Sequence, residues 1–148
     1  MKKLTLIISS ILCTLLAFGN THTSVTISGN DTMQFDVSSF NASKGTDFKL
    51  TFKNTGKLPK VAMGHNLVIL KKGVSAIAFG QRVLVAGGNA QNPLPESVMD
   101  DVLVYTKLLG PGESDVVNFK VPVDVGVYEY VCTFPGHFAI MRGVMEVE

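Results

Sequence analysis

The sequence predicts an all-β fold: eight short strands forming a β-sandwich or barrel, with one short helix-containing flap. Three observations lead there. Apolar and polar residues alternate with a period of two through most of the chain, turn-forming residues interrupt it at short intervals, and a single stretch departs to helical spacing. At 148 residues the chain has room for one domain.

The first segment is not part of that fold. Met1-Lys2-Lys3 is followed by an apolar run to Phe18, and Ala17-Phe18-Gly19 places small residues at −3 and −1 of a cleavage site. This reads as a secretory signal over 1–19, with the domain at 20–148. The run is shorter than the roughly 20 residues needed to cross a bilayer. Lipid attachment at Cys13 is disfavoured because Leu12 is bulkier than a lipidation motif expects. Cleavage after Gly19 leaves 129 residues, removes Lys2, Lys3 and Cys13, and moves the net charge from +1 to −1. Scattered cations at that balance argue against nucleic-acid binding, which needs clustered Lys and Arg.

The predicted strands are Ser24–Ser28, Met33–Val37, Phe48–Lys53, Asn66–Leu70, Val102–Thr106, Val116–Val121, Val127–Cys132 and Val144–Val147. Phe48, Leu50 and Phe52 share one face, with Lys49, Thr51 and Lys53 on the other, which makes a half-buried strand. Gly29-Asn30-Asp31, Asn54-Thr55-Gly56, Gly110-Pro111-Gly112 and Pro135-Gly136 supply the turns. Between Lys72 and about Val85, Val74, Ile77, Ala78 and Leu84 recur at helical spacing. Gly87-Gly88-Asn89 and the proline-containing 91–96 follow, so this stretch is the flap, inserted between two strands.

One thiol remains after processing, and in an oxidising compartment an odd cysteine calls for an intermolecular bridge, a reactive role or a metal. Cys132 opens the spacing C-x4-H-x3-M with His137 and Met141. A strand, a tight Pro135-Gly136 turn and a second strand would gather these side chains, and Met63-Gly64-His65-Asn66 supplies a distant second imidazole. Singly, a buried cysteine or a methionine near a strand end is ordinary core. Together, a thiolate, two imidazoles and a thioether suit copper, as in the His2Cys site with a long axial Met that transfers electrons. Zinc competes less well, since its structural sites take four strong ligands and its catalytic sites keep one position for water. A second class is a thiol-nucleophile enzyme with Cys132 attacking and His137 or His65 as base, but no third group orients that base and Met141 is left unexplained. A periplasmic copper carrier is a third reading. His22 receives no role.

Cys132-Thr133-Phe134-Pro135-Gly136-His137 with Met141-Arg142-Gly143, and Met63-Gly64-His65-Asn66, resemble the azurins and the related auracyanins among the cupredoxins. Ile27–Phe35, Gly56–Lys60 and Thr106–Glu113 extend the likeness over nearly the whole mature chain. The resemblance implies a Greek-key sandwich holding one copper ion. His65, Cys132 and His137 would be its trigonal ligands, Met141 a weak axial one, and the Gly64 carbonyl would approach from the opposite side. It further implies that Asn66 ties the His65 strand to the loop near Thr133, and that amides near Asn66 and Phe134 hydrogen-bond the thiolate. Three departures stand out: the family's N-terminal disulfide has no cysteines here, its buried tryptophan is Leu67, and a histidine before Leu-Pro-Lys is Asn54.

The expected function is therefore a one-electron shuttle cycling Cu(II) and Cu(I) between redox proteins, not an enzyme, with no small-molecule substrate. It is expected to be monomeric and periplasmic or otherwise exported. Pro135, Gly136, Phe138 and Ala139 beside His137 carry no charge, and the resemblance adds Met33 and Met63 to the same end. These residues are expected to form an apolar docking patch around the edge of His137.

Overall fold

The computed structural model describes residues 21–148, so the segment 1–19 predicted to be a secretory signal, with Cys13, lies outside the described residues. Among the described residues, eight strands form two sheets. They are β1 (Ser24–Gly29), β2 (Ser39–Ala42), β3 (Asp47–Asn54), β4 (Val68–Leu70), β5 (Val102–Tyr105), β6 (Ser114–Lys120), β7 (Gly126–Val131) and β8 (Arg142–Val147). One sheet runs β1-β3-β6 and the other β2-β8-β7-β4-β5, with β1 parallel to β3 and β2 parallel to β8. Both parallel contacts join strands distant in sequence, as crossing connections in a sandwich require.

The core lies between the sheets. Alternation in β3 sends Phe48, Leu50 and Phe52 inward, where they join Ile27 from β1 and Ile69, Tyr128, Tyr130, Met145 and Val147 from the facing sheet. Burying each large side chain contributes about 1.5–3 kcal/mol. Leu67 and Asn54 belong to this interior: Leu67 fills apolar volume, and the Asn54 side chain donates to the Leu109 carbonyl at 3.0 Å. The three residues of β4 are all buried because the five-stranded sheet is covered on both faces. Ile69 enters the central core, whereas Val68 and Leu70 enter a second cluster under the flap.

That flap contains α2 (Ala76–Val85), after a one-turn helix α1 (Lys60–Met63) just before His65. In α2 the buried residues Ala76, Phe79, Gly80 and Val83 fall at i, i+3, i+4 and i+7, one apolar stripe. The helix begins at Ala76, capped by Ser75, later than the Lys72 start read from spacing. Lys71–Val74 instead make a turn, closed by Val74 N–H donating to the Lys71 carbonyl at 3.2 Å. At its N-terminus the Glu129 carboxylate of β7 accepts from the Ala76 amide at 2.8 Å, which suits the positive end of the helix dipole.

One predicted strand is corrected. Met33–Val37 is not a ladder strand: Phe35 makes only an isolated bridge to Gly29, and Met33 sits in the left-handed region at φ 55. The strand lies instead at Ser39–Ala42, where only Phe40 and Ala42 face inward, too short an alternation to stand out. Two 3₁₀ turns, Glu96–Asp101 and His137–Ala139, were not anticipated.

Candidate metal centre

Cys132 follows the last residue of β7, and its backbone still pairs across the sheet, with its N–H donating to the Met141 carbonyl at 3.0 Å. The loop between them is folded tightly. His137 N–H donates to the Phe134 carbonyl at 3.0 Å and Met141 N–H to the His137 carbonyl at 2.8 Å. Gly136 turns the loop at φ +84, a conformation that favours glycine. His65 arrives from the other side just before β4. It exchanges backbone hydrogen bonds with Leu109 at 3.0 and 2.7 Å, which holds it in an isolated bridge.

These elements bring three donors together. Cys132 Sγ lies 4.0 Å from His65 Nδ1 and 3.6 Å from His137 Nδ1, and the imidazole centroids are 5.0 Å apart. All three side chains are buried, and their ligand atoms lie within 4.8 Å of one another. Metal–ligand bonds of about 2.0–2.3 Å span donor pairs up to about 4.3 Å apart. Both sulfur–imidazole separations fall within that span, which fits the three side chains to a single ion.

Electrostatics agree with that chemistry. Burial pushes the Cys132 thiol up to about 12, against the opposing pull of the Asn66 and Phe134 amides. Burial and the nearby His65 bring His137 down to about 4, and burial lowers His65, with the Asn30 carbonyl and Asp31 opposing. Both imidazoles are thus neutral, the form that binds metal, while the thiol gives up its proton only when a cation replaces it. His65 Nε2 is buried with no hydrogen bond closed to it; the Asn30 carbonyl raises the ring's pKa without completing one.

The residues around the cluster are organised about it. Asn66 bridges to the ligand loop twice, its amide donating to Thr133 Oγ1 at 2.8 Å and its carbonyl oxygen accepting from Thr133 N–H at 2.8 Å. Met141 is fully buried, and its Cε occupies the space a β-carbon on Gly29 would need, beside His65. Gly64 is packed against the Lys60 carbonyl and Leu108, so no side chain fits there. The Phe134 ring lies 4.6 Å from that of His137.

Residues expected to dock partners have mixed exposure: Gly136 and Ala139 are exposed, while Met33, Met63, Pro135 and Phe138 are half-buried. His137 keeps 3% of its surface; the other two donors keep none. Exposed Leu58 before α1, Val61 within that single turn, and Ile140 in the ligand loop add apolar surface that sequence reasoning missed, since loops and one-turn helices carry no periodic signal. Gly29 and Gly80 were missed for a different reason, because a glycine needed for close approach cannot be told from any other glycine without its neighbours.

A two-sheet β-sandwich with a buried His-Cys-His cluster at one end defines a copper protein of the electron-transfer class. The chain belongs to the plastocyanin/azurin family of copper-binding proteins, whose profile matches residues 21–148. It is 41% identical over 127 residues to the azurin of Alcaligenes faecalis, covering 83% of this chain and 96% of that protein. Among solved structures it resembles the dithionite-reduced auracyanin of Roseiflexus castenholzii, with TM-score 0.74 and 32% identity over 87% of this chain and 99% of that one. An azurin of Methylomonas sp. strain J is similar too, with TM-score 0.73 and 31% identity over 85% of this chain and 98% of that one.

Proposed function

We propose that this protein carries single electrons between redox proteins, with His65, Cys132 and His137 as strong copper ligands and Met141 and the Gly64 carbonyl as weak ones. The observation that carries the reading is the buried sulfur within 3.6 and 4.0 Å of two imidazole Nδ1 atoms. Copper, when bound, supplies the Cu(II)/Cu(I) couple. The chain supplies the rest. Backbone pairing of Cys132 with Met141 and of His65 with Leu109 fixes donors from two distant segments, so little has to move when the charge changes. Asn66 and Thr133 lock these segments together, and the amides of Asn66 and Phe134 offset negative charge on the sulfur; such outer contacts orient ligands and tune a metal.

His137 is the one donor of the three with an edge at the surface, and electrons are proposed to enter and leave there. Met33, Met63, Pro135, Gly136, Ala139 and the outer edge of Phe138 would form the uncharged docking surface. Transient redox encounters bury little area, below about 1,200 Å². No substrate is transformed and no nucleic acid is bound. The protein is proposed to act as an exported monomer, released by cleavage after Gly19 rather than tethered at Cys13. No helix among the described residues is long and apolar enough to cross a membrane.

Electrochemistry of the copper-loaded protein distinguishes carrying electrons from delivering metal. Repeated reduction and reoxidation with copper retained is the expected result. Loss of copper to an acceptor chelator on each reduction would favour a copper carrier instead.

A further inference from the structure

We propose that Asn54 is a positioning residue for His65, acting through the Leu109 carbonyl that both residues share. The inference rests on the electron-carrier reading of the site and adds to it a residue outside the donor set. Asn54 closes β3 and is 2% exposed. A polar side chain that deep has to satisfy both ends of its amide. Its oxygen accepts from Gly56 N–H at 2.9 Å, two residues on, which is an ordinary asparagine turn. Its nitrogen does something that turn does not require: it donates at 3.0 Å to the Leu109 carbonyl, 55 residues along the chain.

That carbonyl oxygen already accepts from His65 N–H at 3.0 Å. A carbonyl has two lone pairs, so the two donors fill its capacity and fix its direction from two sides. Leu109 N–H donates back to the His65 carbonyl at 2.7 Å, and this exchange is an isolated bridge outside the strand ladders. The main chain of His65 therefore depends on where Leu109 is held. Asn54 also grips the turn that follows Leu109, its N–H donating to the Glu113 carbonyl at 3.0 Å and its carbonyl accepting from Gly112 N–H at 2.9 Å.

The amide has one workable orientation. Its partners are one carbonyl and one N–H, so exchanging its oxygen and nitrogen would set like against like at both ends. The oxygen end is anchored in turn, because Gly56 is pressed between Asn54 and Asp31, and the Asp31 carboxylate accepts from Lys57 N–H at 2.7 Å. Contacts behind a ligand orient it and tune a metal. Losing the Asn54 donor frees one side of the Leu109 carbonyl and loosens His65. The loop carrying Cys132 and His137 is held by its own bonds and keeps its place, so the effect falls on one imidazole of the two.

The test compares the unaltered protein with Asn54→Leu, which keeps the shape and loses both side-chain bonds, and Asn54→Ser, whose hydroxyl can accept from Gly56 N–H but is too short to reach Leu109. In the unaltered metal-free protein, scalar couplings across hydrogen bonds should join both Asn54 Nδ2 and the His65 backbone nitrogen to the Leu109 carbonyl carbon. Absence of the Asn54 coupling overturns the proposal whether or not the variants fold. In both variants the His65 amide should exchange with solvent about tenfold faster relative to the buried amides of β7 and β8, the effect of losing one hydrogen bond. In the copper-loaded variants, pulsed electron paramagnetic resonance should show a changed nitrogen hyperfine coupling to His65 and an unchanged one to His137, with a shifted reduction potential. Tyr128→Phe is the control: it removes a hydrogen bond to the Asp124 carbonyl toward the start of β7, and should lower stability without moving either signature. An unchanged His65 coupling in a folded variant, or an equal change at His137, overturns the proposal. Failure of the electron-carrier reading would appear separately, as absence of the blue band in the unaltered protein, and the metal-free measurements would still decide whether Asn54 positions His65.

Discussion

The ring of Phe138, next to His137, lies directly on the backbone of Gly80 in α2: a β-carbon at position 80 would stand 2.2 Å from Phe138 Cγ. The flap is thereby fastened to the ligand loop. The same helix packs Phe79 and Val83 into the cluster that contains Val131, the neighbour of Cys132. One element thus supports both of the loop's strong donors from behind.

Replacing Gly80 tests that support, and the sign is informative. In an unobstructed helix, Gly→Ala stabilises by about 1 kcal/mol. Here the added carbon must displace Phe138, and overpacking costs about 1–3 kcal/mol. Gly80→Ala is expected to lower the melting temperature and alter the copper absorption spectrum, and adding Phe138→Ala to restore the spectrum. A Gly80→Ala protein more stable than the parent with an unchanged spectrum would show that the two residues do not constrain each other.

Asn66 and Thr133 exchange two buried hydrogen bonds. Truncating one partner leaves the other's polar atoms buried and unpaired, at about 1–3 kcal/mol. Asn66→Ala and Thr133→Ala should each destabilise the protein and shift the reduction potential while the blue colour remains. A double-mutant cycle on denaturant midpoints should find the pair strongly non-additive, because each residue's contribution passes through the other. Simple additivity would mean that the bridge contributes little.

The metal-free protein should lose stability at both ends of the pH scale. His137 is held near 4, by burial and then by His65, against an ordinary value of 6.5. Between those values the unfolded chain binds more protons than the folded one, so stability falls as pH drops through that window. Burial raises Cys132 from 9.0 to about 12. There the folded chain binds more protons, and stability falls as pH rises from about 9 toward 12. Chemical denaturation of the apoprotein from pH 4 to 11 should therefore give a plateau between about 6.5 and 9, with the alkaline decline weakened in Cys132→Ala.

Ala139 is exposed in the 3₁₀ turn that carries His137. Ala139→Asp places a charge on the proposed docking surface without touching the buried donors. Electron exchange with a redox partner, or self-exchange, should slow while the absorption spectrum stays the same. Equal rates would move the docking surface elsewhere.

The cluster of His65, Cys132 and His137 was legible because its chemistry is compressed: Cys132 and His137 share one short loop, and Gly64-His65-Asn66 is the other glycine-flanked histidine. The sandwich was legible from strands such as Asp47–Asn54, whose alternation spans a whole face. What sequence hid was contact between distant segments. Nothing around Gly80 marks it as the floor under Phe138, and nothing in Gln34-Phe35-Asp36 shows that Met33 would adopt φ 55 and end a predicted strand. Tertiary packing decides those positions, and local alternation carries no record of it.

The most direct test is the visible absorption of the purified protein on adding equimolar Cu(II). An intense blue band from thiolate-to-copper charge transfer, bleached by a mild reductant and restored by reoxidation, is expected. It should vanish in Cys132→Ser and persist with a raised potential in Met141→Leu. A colourless Cu(II) complex, or equal loss of colour in both variants, would contradict a copper centre built on Cys132, His65 and His137.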